Sequence, residues 1–519
     1  MAGISQVILK RRYARICVAV IIPLVIFTLL LNSRYLTFQA WNKYTFLSPL
    51  APEQIPSEIC ELNLTTLVPY GLTSRIRYAR RYIYTHPTHE RLAHVASVNE
   101  ALLPTPQIVL RAAIDHASSN LLPLLNCNRD PLRLAVSPDP PFTNTSRILF
   151  GVATTAERLK DALLQMQHWL SDGRASLLAI VPDSPVVHEV RAKMAAWGID
   201  GTIKVEEADF CSRYFNLVGH LHAELHAERH RRPDIKWVAF IDDDTFFPSM
   251  SDVIVRLGEY DASKAQYIGG ISEDFHQISK HGLFAFGGAG IFLSLPLLEE
   301  LHTHFPACVE SEKNVADGDV RLVNCIYKHT RTKLQIESGL HQMDFTGEMH
   351  GVFESGQRLL SIHHWKTWYK LDVLKLTTAS DVCGEHCLLQ RWRFTGQSSE
   401  MVLTNGYSLV DYPKGVPDLM ETEKTWNANP DHVGEHRTLA DDQADFAHSL
   451  APLRRKLTEG VERISWNLVD AVREQEGAVR HVYVRKDDDR EGGEDSVVEL
   501  IWRKDPGYSH VPMVEENSR

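Results

Sequence analysis

From Arg147 onward the chain alternates unbroken apolar runs with stretches of helical periodicity. ILFGVAT (148–154) carries no charge, as expected of a strand buried on both faces of a parallel sheet. Behind it Leu159, Leu163, Met166 and Leu170 recur at helical spacing, and Thr154 followed by Glu157 has the spacing of a capping box. SLLAIVPD (176–183) predicts a second strand, 186–197 a helix and TIKVEEAD (202–209) a third strand. A longer helix over about 212–230 carries Phe215, Val218, Leu221 and Leu225 on one face, and KWVAFIDDD (236–244) is the next strand. Short strands are expected near Tyr267–Gly269, Gly290–Leu293 and Leu359–His363, and the sheet is expected to end by about Lys375. Strand and helix in this order predict an α/β domain over 146–375 with a mostly parallel sheet.

The flanks have a different texture. Residues 35–145 break their short apolar runs with twelve prolines, which reads as a stem and an N-terminal elaboration and not as a regular domain. In 376–519, MVLTNGYSLVDY holds an Asn-Gly pair between alternating runs, the mark of a hairpin. AVRHVYVRK and VVELIWRK read as two strands around the acidic loop DDDREGGED. This end is therefore expected to be a small β-rich module.

Before the stem lies an apolar stretch, Ile16 to Leu31, preceded by Lys10, Arg11, Arg12 and Arg15. Sixteen residues are slightly short of the roughly 20 that span a bilayer, but flanking residues extend the stretch and Arg15 can snorkel. A cleaved signal peptide needs small residues at its cleavage site, where LNS and FQA offer Leu31 or Phe38. The expectation is a cytosolic tail over 1–15, an uncleaved anchor over 16–34 and a luminal remainder, which is type II topology. Asn63-Leu64-Thr65 and Asn144-Thr145-Ser146 are glycosylation sequons on that luminal side. Of eight cysteines Cys17 falls in the anchor, leaving seven in an oxidising compartment. Cys308 with Cys325 is the first expected pair; Cys383 and Cys387 read as a disulfide or two thiols ahead of half a zinc site. A formal net charge of -11 without a dense basic block argues against nucleic acid as a partner.

The chemistry concentrates in a few places. In WVAFIDDDTFF, Asp242, Asp243 and Asp244 arrive at the carboxyl end of an apolar strand, where open α/β sheets bind ligands. Adjacent carboxylates repel unless a cation neutralises them, and an oxygen-rich site suits Mg²⁺ or Mn²⁺, which could bridge to a diphosphate. FAFGGAGIFLS brings Gly287, Gly288 and Gly290, which permit either a tight turn or close approach to a ligand. Asp317 and Asp319 open a helix and read first as caps; His363 and His364 end a short run and could complete a carboxylate metal site. His222, His226 and His230 lie four apart, but HAELHAERH does not spell the metalloprotease motif, and a solvated helix face is the favoured reading.

Taken in order, WVAFIDDDTFF, YIGG, FAFGGAGIFLS, DGDVRLVNCI and LSIHH resemble the Fringe-type β-1,3-glycosyltransferases of glycosyltransferase family 31, most of all fungal members with a C-terminal extension. The resemblance covers about 146–375. It implies a GT-A-type (Rossmann-like) domain that binds a nucleotide sugar, usually UDP-linked, together with Mn²⁺ or another divalent cation. By that similarity Asp242 and Asp243 face the ribose and metal, Asp244 is the principal metal ligand and His363 the metal histidine, with His364 as fallback. Asp319 falls where inverting enzymes keep the general base, but Gly318 replaces the usual preceding acid, which leaves Asp317 and Asp319 as alternatives. Thr154 and Thr155 match positions that line the nucleotide, alongside Gly288 and Gly290. The implied protein is a Golgi type II membrane enzyme that moves a hexose, galactose or N-acetylhexosamine, from a UDP-sugar to a glycan or glycoprotein hydroxyl with inversion. Two rival readings fit less well. A haloacid-dehalogenase phosphatase needs Thr or Val where this chain has Phe246; a membrane-tethered glycan-binding protein with a decayed site would not need three aspartates, Asp319 and His363.

Overall fold

The structure, a computed structural model, describes residues 60–507 apart from 74, 104–107, 112–120, 125–130, 141–143, 172–174, 229, 345–348, 397–398, 417–459, 461 and 488–492. The expected anchor over 16–34 lies outside the described residues, and among those no helix is long and apolar enough to cross a membrane.

Six strands precede the apolar runs: β1 (Cys60–Asn63), β2 (Arg75–Pro87), β3 (Val95–Val98), β4 (Ile108–Arg111), β5 (Leu121–Leu124) and β6 (Leu132–Val136). The alternating region follows as β7 (Ile148–Ala153), α1 (Ala156–Leu170), β8 (Ser176–Val181), α2 (Val187–Ala196), β9 (Gly201–Val205), α3 (Phe210–Glu228) and β10 (Trp237–Ile241). It continues through α4 (Met250–Leu257), β11 (Tyr267–Gly269), α5 (Phe275–His281), β12 (Ile291–Ser294), α6 (Leu295–Glu312), α7 (Gly318–His329), β13 (Leu334–Ile336), α8 (His350–Phe353) and α9 (Val373–Thr378). The last strands are β14 (Arg391–Phe394), β15 (Glu400–Thr404), β16 (Ser408–Tyr412), β17 (Ile464–Arg473), β18 (Val479–Arg485) and β19 (Asp495–Lys504).

Strands β7 to β13 form a seven-stranded sheet in the order β13-β11-β12-β10-β7-β8-β9. Strand β10 runs parallel to β7, as β7 does to β8 and β8 to β9, whereas β12 is antiparallel to both β10 and β11. The sheet is thus mixed, with a parallel half where strand and helix alternate. The unbroken apolar runs have a simple cause, because both faces of the sheet are covered. Ile148, Phe150 and Val152 point into one core with α1 and α2; Leu149 and Ala153 point into the other, with residues of α3, α6 and α7. Cys308 on α6 is bonded to Cys325 on α7, as expected from the sequence, and Cys383 to Cys387.

Two expectations are corrected. Leu359–His363 is not a strand: Ile362 makes one isolated antiparallel bridge with Phe246 and pairs no further. The flanks also do not stand apart. Strands β2, β3, β4 and β6 join β14–β19 in one ten-stranded sheet, in which β2 runs parallel to β19 from Ile76↔Asp495 to Thr85↔Lys504. They share a core, in which Ile83, Leu132 and Leu134 pack with Trp392, Tyr483 and Trp502. Strand β2 hid behind its arginines. Ile76 and Tyr78 alternate inward with Arg75 and Arg77 outward, and those two reach Glu494 at 2.6 and 2.7 Å. The expected C-terminal hairpin is present as β15–β16, closed by Gly406 at φ 78°, and the strands around the acidic loop are β18 and β19.

The chain after α8 is tied to the approach to β17 by a buried charge pair. Arg463 donates to both oxygens of the buried Glu354, at 2.8 Å each; burial opposes that charge, but Arg463 and His350 hold the carboxyl down at about 2. Ending the chain before residue 462 would remove β17–β19 and leave β2 with an open edge. The expected outcome is an aggregated product by size-exclusion chromatography; a monodisperse, folded fragment would contradict this account.

Candidate functional site

Strand β10 delivers Asp242, Asp243 and Asp244 into a turn closed by Thr245, whose hydroxyl accepts from the Asp242 N–H at 3.0 Å and donates to Gly288 O at 2.9 Å. The three carboxylates then diverge. Asp243 is buried and gripped by Arg158, which donates through Nε and an Nη at 2.6 Å each, and by the hydroxyl of Thr154. Such a bidentate pair fixes the carboxylate plane as well as its charge. Thr154 therefore serves Asp243 and is not the helix cap that its spacing from Glu157 suggested. Thr155 caps α1, accepting from the Arg158 N–H at 3.2 Å.

Asp242 and Asp244 turn toward His363. Its Nε2 lies 3.1 Å from Asp244 and 3.5 Å from Asp242, and the ring is buried. The bridge between Phe246 and Ile362 sets this register, with backbone bonds of 2.8 Å in both directions. Trp365 donates from its indole to the Asp244 carbonyl at 2.7 Å, and Tyr369 donates to the His363 carbonyl at 2.5 Å. A Cβ at Gly288 would lie 2.1–2.3 Å from the His363 ring, so glycine there is what lets the imidazole in. Gly290 acts differently, since its φ of +93° forms the turn and a Cβ would meet only ordinary contacts.

His364 diverges from its neighbour. At φ 58° it stacks on Trp368 and places Nε2 3.0 Å from Asp344, although its ring still belongs to a cluster with Asp244 and His363. Asp319 and Asp317 are likewise drawn apart. Asp319 accepts from the Gly287 N–H at 3.3 Å and the Val320 N–H at 2.8 Å, whereas Asp317 lies half-exposed, 3.6 Å from His281. Burial, then the negative charge of Asp242, pushes the Asp319 carboxyl up to about 7 despite those two donors. Gly318, where an acid was expected, has a steric reason. A Cβ there would lie 2.8 Å from the Tyr214 side chain and 2.9 Å from Cys211 O. Gly318→Glu is accordingly expected to destabilise the protein by about 1–3 kcal/mol, read as a lower denaturant midpoint. An unshifted midpoint would show that the Tyr214 side yields freely.

The donors fit a divalent cation. The Nδ1 of His363 lies 3.0 Å from the Gln342 carbonyl, an acceptor only, so Nδ1 carries the proton and neutral imidazole presents its Nε2 lone pair to two carboxylates. That arrangement needs a cation. With none bound the ring itself supplies the charge: burial works against it, yet Asp242 and Asp244 raise His363 to about 10. Asp244 falls to about 2, because His363 overrides the effect of burial.

Arg158, Gln342, Asp344 and Trp365 belong to the site but were not expected there. Arg158 had a signal, since it lies one turn beyond Thr154 at the end of the neighbouring parallel strand. The others are placed by loops, which carry no periodicity to read. Beside the site, residues after His364 line a cleft of about 640 Å³ with Tyr407 and with Asn467–Val469 of β17; Lys366, Lys370 and Tyr369 face it.

The family described as "Protein of unknown function, DUF604" matches residues 277–372, the stretch holding the glycine turn, Asp319 and His363. Among curated proteins none matches the chain. Solved structures similar to it are glycosyltransferases. They include GlyE from Streptococcus pneumoniae TIGR4 in its apo form, at 11% identity and TM-score 0.26 over 38% of this chain and 46% of that one. A second GlyE structure gives 14% identity and TM-score 0.26 over 37% and 45%. A glycosyltransferase involved in the glycosylation of the major capsid of PBCV-1 gives 10% identity and TM-score 0.26 over 42% and 92%. The chain thus spans less than half the length of the GlyE structures.

Proposed function

We propose that the protein is a divalent-cation-dependent glycosyltransferase of the Fringe-like family 31 kind, with a GT-A-type domain, acting in the Golgi lumen from a type II anchor. It moves a hexose, galactose or N-acetylhexosamine, from a UDP-sugar to a hydroxyl of a glycan or glycoprotein, with inversion and formation of a β-1,3 linkage. The observation that carries this reading is the meeting of His363 Nε2 with Asp242 and Asp244 at the end of β10, with Asp319 held nearby on the Gly287 amide.

In this reading Asp242, Asp244 and His363 hold Mn²⁺ or another divalent cation. Bound there, the ion supplies Lewis-acid charge to the diphosphate leaving group. Arg158 and Thr154 hold Asp243 toward the nucleotide ribose. Asp319 Oδ takes the proton of the acceptor hydroxyl as that oxygen forms its bond to the anomeric carbon; the bond from that carbon to the diphosphate breaks, and UDP leaves with the electron pair. A carboxyl near neutrality is a better acceptor for that proton than one near 4, because its conjugate base is stronger. The acceptor enters along the cleft between the loop after His364 and β17, so the second sheet shapes acceptor choice.

The test is a panel of UDP-sugars offered to the purified full chain with Mn²⁺ or with EDTA, following UDP release and the anomeric configuration of the product by NMR. Mn²⁺-dependent release with one sugar, and an inverted product, is expected. A folded chain that neither binds nor cleaves any of the panel sinks the proposal.

A further inference from the structure

A second group of metal-ligating side chains lies away from this site, on the helices behind the sheet. Helix α3 presents His222 and His226 four residues apart, one turn along the same face. What spacing alone could not show is the third member, Glu299, which α6 brings up from the neighbouring helix. His230, which shared the sequence pattern, lies past the end of α3 at Glu228.

The three side chains converge on one point. His222 Nε2 is 3.2 Å from His226 Nε2 and 2.8 Å from Glu299 Oε2, and His226 Nε2 is 3.4 Å from Glu299 Oε1. Tetrahedral zinc with bonds of about 2.0–2.1 Å requires ligand atoms about 3.3 Å apart, which the edges of 3.2 and 3.4 Å meet. The 2.8 Å edge to the other carboxylate oxygen opens by rotating the exposed Glu299 side chain, without moving a helix. Without an ion, protons join the two ring nitrogens and the carboxylate, and a cation can replace those protons at the same atoms. The site is also held in place. His302, one turn beyond Glu299 on α6, stacks on His222 with centroids 3.6 Å apart and planes 10° apart. Glu299 and His226 are half-exposed, so an ion can enter and keep a water as its fourth ligand.

We infer that His222, His226 and Glu299 form a zinc site that braces α3 against α6, independent of the site at β10. Two imidazoles and one carboxylate favour Zn²⁺ over Mn²⁺, whose preference is for oxygen-rich octahedral surroundings. The two sites are therefore separable by metal as well as by mutation.

The experiment uses the full chain stripped of metal, in an Asp244→Ala background that disables the other site. Zn²⁺ is titrated against a chromophoric chelator, and the melting temperature is followed in parallel. The expected result is one tightly held Zn²⁺ per chain and a higher Tm with Zn²⁺ but not with Mn²⁺. Both effects disappear in His222→Gln/His226→Gln, while the metal-free Tm stays close to that of the background chain. Absence of Zn²⁺ binding in the Asp244→Ala chain overturns the inference, as does Zn²⁺ binding that survives the double substitution. Neither outcome touches the glycosyltransferase reading, which rests on other residues.

Discussion

Asp319→Asn is expected to leave Mn²⁺-dependent UDP-sugar binding in place while lowering turnover by about 10²–10⁴-fold, the usual contribution of a general base. Asparagine keeps the shape and can still accept from Gly287 N–H, but it cannot take a proton. The pH dependence follows from the same carboxyl. The base must be ionised, so activity rises with pH along an acid limb at or below about 7, lower once a cation offsets the charge of Asp242. The effect on stability has the opposite sense. A carboxyl with a folded pKa above its unfolded value makes the unfolded chain bind fewer protons between the two, so stability falls as pH rises from about 4 to about 7. Asp319→Asn removes that fall and should make the protein more stable than wild type above pH 7, with no advantage below pH 4. Denaturant titrations at the two pH values check this. Full turnover in the variant, or loss of donor binding along with turnover, would remove Asp319 from the role of base.

Asp244→Ala has the other large expected effect, and at an earlier step. It takes away one carboxylate facing His363 and leaves the buried imidazole with Asp242 alone, 3.5 Å away. Charge stabilisation by a bound metal is worth several kcal/mol, and 1.36 kcal/mol is a factor of ten, so kcat/KM should fall by about 10³-fold. Mn²⁺-dependent nucleotide binding, read by calorimetry, should fall with it. Asp244→Glu restores the charge at a displaced position and should recover part of the binding. If Asp244→Ala retains wild-type metal dependence, the cation is held elsewhere and the assignment of the β10 carboxylates fails. Asp317→Ala is the matching control, since Asp317 lies 3.6 Å from His281, outside the group formed by Asp242, Asp244 and His363.

The parallel half of the α/β region was legible because its strands are buried on both faces, which leaves unbroken apolar runs such as Val238–Ile241. The aspartates were legible for a related reason: three charges directly after a core strand are costly without a partner. The choice between His363 and His364 was less so. The two differ by one backbone residue at φ 58°, which sends one ring to Asp244 and the other to Asp344. Strand β2 was missed because its apolar positions are interleaved with Arg75, Arg77, Arg80 and Arg81, the last of these itself buried. The acids for three of these arrive from far along the chain: Glu494 for Arg75 and Arg77, and Glu499 for Arg80. Long-range ion pairing leaves no local pattern. The same holds for Arg158 and Asp243, which are 85 positions apart.

The pairing of β2 with β19 also sets a clock for biosynthesis. Ile76 meets Asp495, 419 positions further along, only once the residues between them have been made. At about 5–20 residues per second that is a wait of about 20–80 s, during which the seven-stranded sheet can already form but β2 has no neighbour on its β19 side. Loop closure over such a separation is slow, and a strand of 13 residues with one open edge is a ready template for other chains. The newly made protein should therefore depend on chaperones for its N-terminal strands, and its yield should respond to translation rate more than its final stability does.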